Sequence, residues 1–177
     1  MNTRSGRQVK KVGVSATSHL SAATTAPHVI QVEESIHVDA PRESVFEFMD
    51  DPHNQAVISP SITDIRQVEP LPNGGKRLDY TYTMAGIDLD GTLETPTYEP
   101  GERVVFGMDQ GPLTGTITWT FADEAGDDGE PGTRVTYAAD YELPSRVAER
   151  AARPFVERYN ERELRTTLEN LKDHFEA

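Results

Sequence analysis

Glu34 is the one titratable side chain that falls in phase with apolar neighbours, because Ile30, Val32, Ile36 and Val38 recur at every second position and Glu34 lies between them. A carboxylate beside an apolar cavity has its charged form disfavoured and its pKa raised, which is how a general acid or base is tuned toward neutrality. At a strand edge the same side chain would only pair with an arginine. A second set is aromatic. Tyr80, Tyr82, Tyr137 and Tyr141 offer hydroxyls, and Trp119 offers an indole N–H, while their rings supply apolar wall. They serve equally well as ordinary core, since a sheet must bury one face in any case.

Other chemistry finds little support. The chain has no HExxH, no GxSxG, no phosphate loop with lysine and no Rossmann glycine pattern. It has no cysteine, which excludes disulfides, zinc thiolates and thiol nucleophiles. His19, His28, His37, His53 and His174 share no metal-ligand spacing and read as solvated. Asp88 and Asp90 alternate on the polar face of a strand, without the further ligands that a cation needs. No metal and no cofactor is expected.

The elements that must position these residues follow from periodicity. Val29 to Val38 reads as a strand, and Asp39 to Ser44 stops it and starts a helix, with Pro41 in the first turn and Asp39 or Ala40 near the cap. Val45, Phe46, Phe48 and Met49 form the buried side of that helix, which Asp50-Asp51-Pro52 ends; a second short segment runs from His53 to Ser59. Ile62, Ile65 and Val68 precede a turn marked by Asn73-Gly74, whose residues tolerate positive φ. Leu78, Tyr80, Tyr82 and Met84 then alternate with polar residues, and Ile87, Leu89 and Leu93 do the same. Val104, Phe106 and Met108 follow, then Ile117, Trp119 and Phe121, and finally Val135, Tyr137, Ala139 and Tyr141. The acidic, glycine-rich stretch from Asp123 to Gly132 is a solvated hairpin loop.

The C-terminus from Ser145 to Phe175 is helical by composition. Leu164, Leu168, Leu171 and Phe175 form one apolar stripe, and Val147, Ala151, Phe155 and Tyr159 form another that points in a different direction. Pro154 removes a backbone donor, so a kink or break is expected there. The forward half would face a cavity mouth and the rear half would close on the sheet.

Charge divides the chain. Residues 1–28 hold Arg4, Arg7, Lys10 and Lys11 with no acid, and their Ser, Thr and Ala content marks a disordered basic tail. The remainder carries 13 basic against 30 acidic side chains, for a net charge of −17, with Lys76 and Lys172 as its only lysines. That balance is similar to proteins of salt-loving organisms, in which ions screen self-repulsion. It also repels phosphate backbones, so nucleic acid is not an expected partner. No apolar run approaches the roughly 20 residues of a membrane-spanning helix. A cytoplasmic monomer or homodimer is expected.

The first strand, the helix start Ala40-Pro41-Arg42-Glu43-Ser44-Val45-Phe46, Asp50-Asp51-Pro52, the successive strands and the Leu164, Leu168, Leu171 ending resemble the polyketide cyclase/dehydrase and lipid-transport group of the START-like (SRPBCC) superfamily. The resemblance covers Val29 to Ala177. Members often carry Trp-Pro where this chain has Val57-Ile58-Ser59-Pro60. The resemblance implies an α+β helix-grip fold, in which a curved antiparallel sheet of about seven strands (β-α-α-β6-α) wraps a long C-terminal helix around an apolar cavity. Leu78, Tyr80, Tyr82, Met84, Leu89, Phe106, Trp119, Tyr137 and Tyr141 would then line the cavity from the sheet, with Phe155 and Tyr159 from the helix. Binding or carriage of a small hydrophobic ligand is the expected function; alternatives are a cyclase or dehydratase acting on such a ligand and a protein-binding co-regulator.

Overall fold

A computed structural model describes residues 29–126, 129–144 and 153–177. The expected basic tail therefore lies outside the described residues, as does Ser145 to Ala152. Seven strands form one antiparallel sheet: β1 (Val29–Val38), β2 (Ile62–Pro70), β3 (Lys76–Met84), β4 (Ile87–Glu99), β5 (Arg103–Gln110), β6 (Thr114–Asp123) and β7 (Thr133–Glu142). Their order is β1-β7-β6-β5-β4-β3-β2, so the first strand closes beside the last and every other neighbour pair is a simple hairpin. Helices α1 (Arg42–Asp50) and α2 (Pro52–Ile58) fill the connection from β1 to β2, and α3 (Arg153–Glu176) ends the chain. This is the helix-grip arrangement, and α3 lies against β1.

Local chemistry accounts for the joints. Pro41 is the N-cap of α1 rather than a first-turn residue, and no side chain caps that helix; Asp39 instead bonds His37 at 2.9 Å. Asp51 ends α1 and starts α2, accepting from the His53 N–H at 2.9 Å. The expected turn at Asn73-Gly74 joins β2 to β3, with Gly74 at φ 90° and the Asn73 side chain accepting from Gly75 N–H at 3.0 Å. Between β3 and β4 the two-residue turn Ala85-Gly86 has positive φ at both positions, 50° and 73°, as a primed hairpin turn requires.

Strand irregularities bend the sheet. The β2–β3 register shifts between Ile62 and Asp64 and again between Arg66 and Glu69, where Gln67 stands at φ 49°. Each bulge inserts a residue and increases local curvature. The first of them explains why Ile62 and Ile65, three apart rather than two, reach the same face.

Two apolar clusters fill the concave side. One joins Val45, Phe46 and Met49 of α1 to Trp119, Phe121 and Val135 of the sheet and to Leu164, Leu168 and Leu171 of α3. The other gathers Ile30, Met84, Leu89, Met108, Tyr141 and Val156 toward the opposite end. Pro154 is the second described residue of α3. Whatever precedes this helix lies outside the described residues, and with it the expected kink.

Candidate functional site

Several inward-facing side chains of the sheet remain only half covered: Val32, Ile62, Ile65, Tyr82, Leu93, Ile117 and Tyr137. In a filled core, positions on the buried face of a sheet touch neighbours on all sides. Here they border a cavity of about 110 Å³ between the sheet, α2 and α3. Leu78, Tyr80, Phe106, Met108, Trp119 and Tyr141 continue its wall from the strands, Leu113 from the β5–β6 loop, Pro52, Gln55 and Ile58 from α2, and Asn160, Glu163, Leu164 and Thr167 from α3.

Of the residues singled out from sequence, Leu78, Tyr80, Tyr82, Phe106, Trp119, Tyr137 and Tyr141 come together on this wall. Four do not. Met84 and Leu89 point inward but are sealed in the second apolar cluster, at 1% and 0% exposure. Phe155 is 58% exposed. Tyr159 is half-buried beside the cavity without lining it; its hydroxyl donates to the Thr83 carbonyl at 3.3 Å and meets the Ser61 hydroxyl at 3.1 Å. The rear half of the helix buries Leu164, Leu168 and Leu171 as expected, but its forward half is one residue out of the expected phase, with Val156 and Asn160 buried in place of Phe155 and Tyr159. A polar Asn160 interrupts the apolar stripe, which made Phe155 and Tyr159 the stronger apolar pattern.

Glu34 takes the second of its two readings, pairing with an arginine at the sheet edge. It pairs across the ladder with Tyr137, yet its side chain is 41% exposed and its Oε1 lies 3.8 Å from the Arg165 guanidinium. On an edge strand beside α3 the chain can swing to water, and an ion pair this exposed contributes at most about 1 kcal/mol. Asp88 and Asp90 accept from the Thr83 and Thr81 hydroxyls on the outer face. Among the histidines, His37 is not simply solvated: it bonds Asp39 and lies 3.9 Å from Glu124. His174 stacks on Phe48 with ring centroids 4.1 Å apart. No described group of three or more His, Asp or Glu residues is arranged to hold a metal.

The carboxylate that does reach the cavity is Glu163, which the sequence reading did not single out. Its Oε1 accepts from the Ser61 backbone N–H at 2.9 Å, which ties α3 to the start of β2. Asn170 reinforces the seam by donating to the Ile58 carbonyl at 2.8 Å. The signal that could have found Glu163 is its spacing: Asn160, Glu163, Leu164 and Thr167 fall at i, i+3, i+4 and i+7, one helix face.

Burial pushes the Tyr80 phenol up to about 12. Tyr82, Tyr137 and Tyr141 are also raised by burial, and the Glu163 carboxylate adds to the effect on Tyr82 and Tyr137. These hydroxyls therefore stay protonated through neutral pH and serve as hydrogen-bond donors, not bases. A smaller void of about 20 Å³ adjoins the wall at Phe106 and Trp119. There Asp50 holds the Lys76 ammonium at 2.7 Å and the Tyr98 hydroxyl at 3.0 Å. Burial and that bond raise the Tyr98 phenol to about 12.

A seven-stranded antiparallel sheet gripping a terminal helix around an apolar cavity defines a START-like protein. The chain belongs to the polyketide cyclase / dehydrase and lipid transport family, whose model matches residues 29–176. A search among curated proteins finds no match. Solved structures with the same fold include a Thermus thermophilus protein at 20% identity, with a TM-score of 0.68 over 81% of this chain and 95% of that one. The Zhui aromatase/cyclase of a Streptomyces species is similar at 19% identity and TM-score 0.66, over 84% of this chain and 94% of that one. A START superfamily protein of Mycobacterium smegmatis aligns at 15% identity and TM-score 0.66, over 82% and 97%. At these identities the likeness is one of fold. No described helix is long and apolar enough to cross a membrane.

Proposed function

We propose that this protein binds and carries a small hydrophobic molecule of lipid, isoprenoid or polyketide-like character in the cavity between sheet and α3. The observation that carries this reading is the half-covered inner face: a sheet that buries Leu89 and Val135 completely leaves Ile117, Leu93 and Val32 bordering a largely apolar cavity. Largely preformed apolar pockets with a few polar groups are what small-molecule sites consist of.

A second reading is favoured by Glu163. A carboxylate on the wall of such a cavity is placed to move a proton in cyclisation or dehydration of a bound polyketone, the chemistry suggested by the Zhui aromatase/cyclase likeness. Glu163→Gln separates the two. Carriage predicts that an apolar fluorescent dye binds the variant within about twofold of the parent and that neither converts a linear poly-β-ketone. A parent that turns over this substrate, with turnover lost by roughly 100-fold or more in Glu163→Gln, would replace carriage by catalysis.

We also infer a salt-adapted source from the acidic, lysine-poor domain. Carboxylate repulsion is screened by ions, so lowering salt from molar to millimolar is expected to reduce the melting temperature. An unchanged melting temperature across that range would sink the inference.

A further inference from the structure

We propose that the carried molecule is not a plain hydrocarbon but an apolar compound bearing a carbonyl or similar acceptor oxygen, held between the Asn160 amide and the Tyr80 hydroxyl. The inference rests on the carrier reading above and specifies its ligand. Asn160 and Tyr80 are 4% and 5% exposed, both line the cavity, and among the described residues neither Asn160 Nδ2 nor Tyr80 Oη has a hydrogen-bond partner.

Buried polar groups are satisfied in folded proteins with few exceptions, and each exception calls for an explanation. Around this cavity the amide of Gln55 and the carboxylate of Glu163 are engaged. Gln55 donates to the Met49 carbonyl at 2.7 Å, Glu163 accepts from Ser61, and Asn170 reaches Ile58. The two unpartnered groups belong to different walls, Asn160 to α3 and Tyr80 to β3, on either side of the space between helix and sheet. Tyr80 owes its placement to Gly91 on β4: a Cβ there would stand 2.6 Å from the phenolic oxygen, so only glycine lets the ring lie over that strand. An amide –NH2 can only donate, and a buried neutral phenol donates as well. Two buried donors without a partner, on residues that line an apolar space, favour an acceptor.

The test compares ketones with hydrocarbons of nearly the same shape: α-tetralone against tetralin, and fluorenone against fluorene, titrated into the full chain. The proposal expects at least one ketone to bind roughly tenfold more tightly than its hydrocarbon, because each buried donor gains a partner. Asn160→Leu and Tyr80→Phe are expected to remove most of that preference while keeping hydrocarbon binding. Both variants should melt no lower than the parent, since each removes an unsatisfied buried group. Equal binding of ketone and hydrocarbon, as when bound water satisfies both groups, would overturn the proposal and leave the carrier reading standing. Binding of neither pair would overturn both. A clear fall in the melting temperature of Asn160→Leu would assign the amide a structural role and overturn the proposal as well.

Discussion

Ile117→Trp is expected to abolish uptake of apolar ligands, a loss of roughly 100-fold or more in affinity, while the protein stays folded. Ile117 lies on β6, two strands in from the β1 edge, and its side chain points into the cavity it helps to line. In a close-packed core an indole in place of a sec-butyl group would force its neighbours aside, at a cost of about 1–3 kcal/mol. Here the half-covered side chain borders open space, so the larger ring takes volume from the ligand rather than from the protein. Dye titration reads the binding and thermal melting reads the fold. Intact binding in a folded variant would place the ligand elsewhere, and a variant that fails to fold would show that the space is too small to matter.

Leu171→Ala is expected to lower the free energy of unfolding by about 2–5 kcal/mol. Leu171 is fully buried in the cluster where α3 meets α1 and the sheet, and it is not a cavity residue. Truncation removes transfer free energy and leaves a void in a region that rigid strands keep from collapsing. Denaturant unfolding measures the effect. A loss below about 1 kcal/mol would mean that α3 is held mainly by its polar seam with Ile58–Ser61 rather than by apolar packing.

The order of elements was legible because each rests on a strong local signal. Alternation around Tyr80 and Trp119, Asn-Gly at the first hairpin and the Asp-Pro junction between helices all point to structures that form as read. The site was legible only in part. Alternation tells which side chains point inward, but Met84 and Tyr82 alternate on one strand and only Tyr82 meets open space. That difference depends on how far α3 stands off each end of the sheet, a tertiary property with no local signature. The helical contribution failed for a different reason. Apolar periodicity along α3 passes over Asn160 and Glu163, because a binding surface keeps polar groups at positions that a core would fill with leucine. Glu34 looked central because it shares a face with Val32, yet position at the sheet edge gives a long side chain a route to water.

The central claim is that the cavity holds a small hydrophobic molecule. The most direct measurement is mass spectrometry of a solvent extract from protein purified in high salt, with Ile117→Trp purified in parallel. The account predicts a stoichiometric apolar compound from the parent and none from the variant. An empty extract from the parent, together with no uptake of apolar dyes, would contradict it.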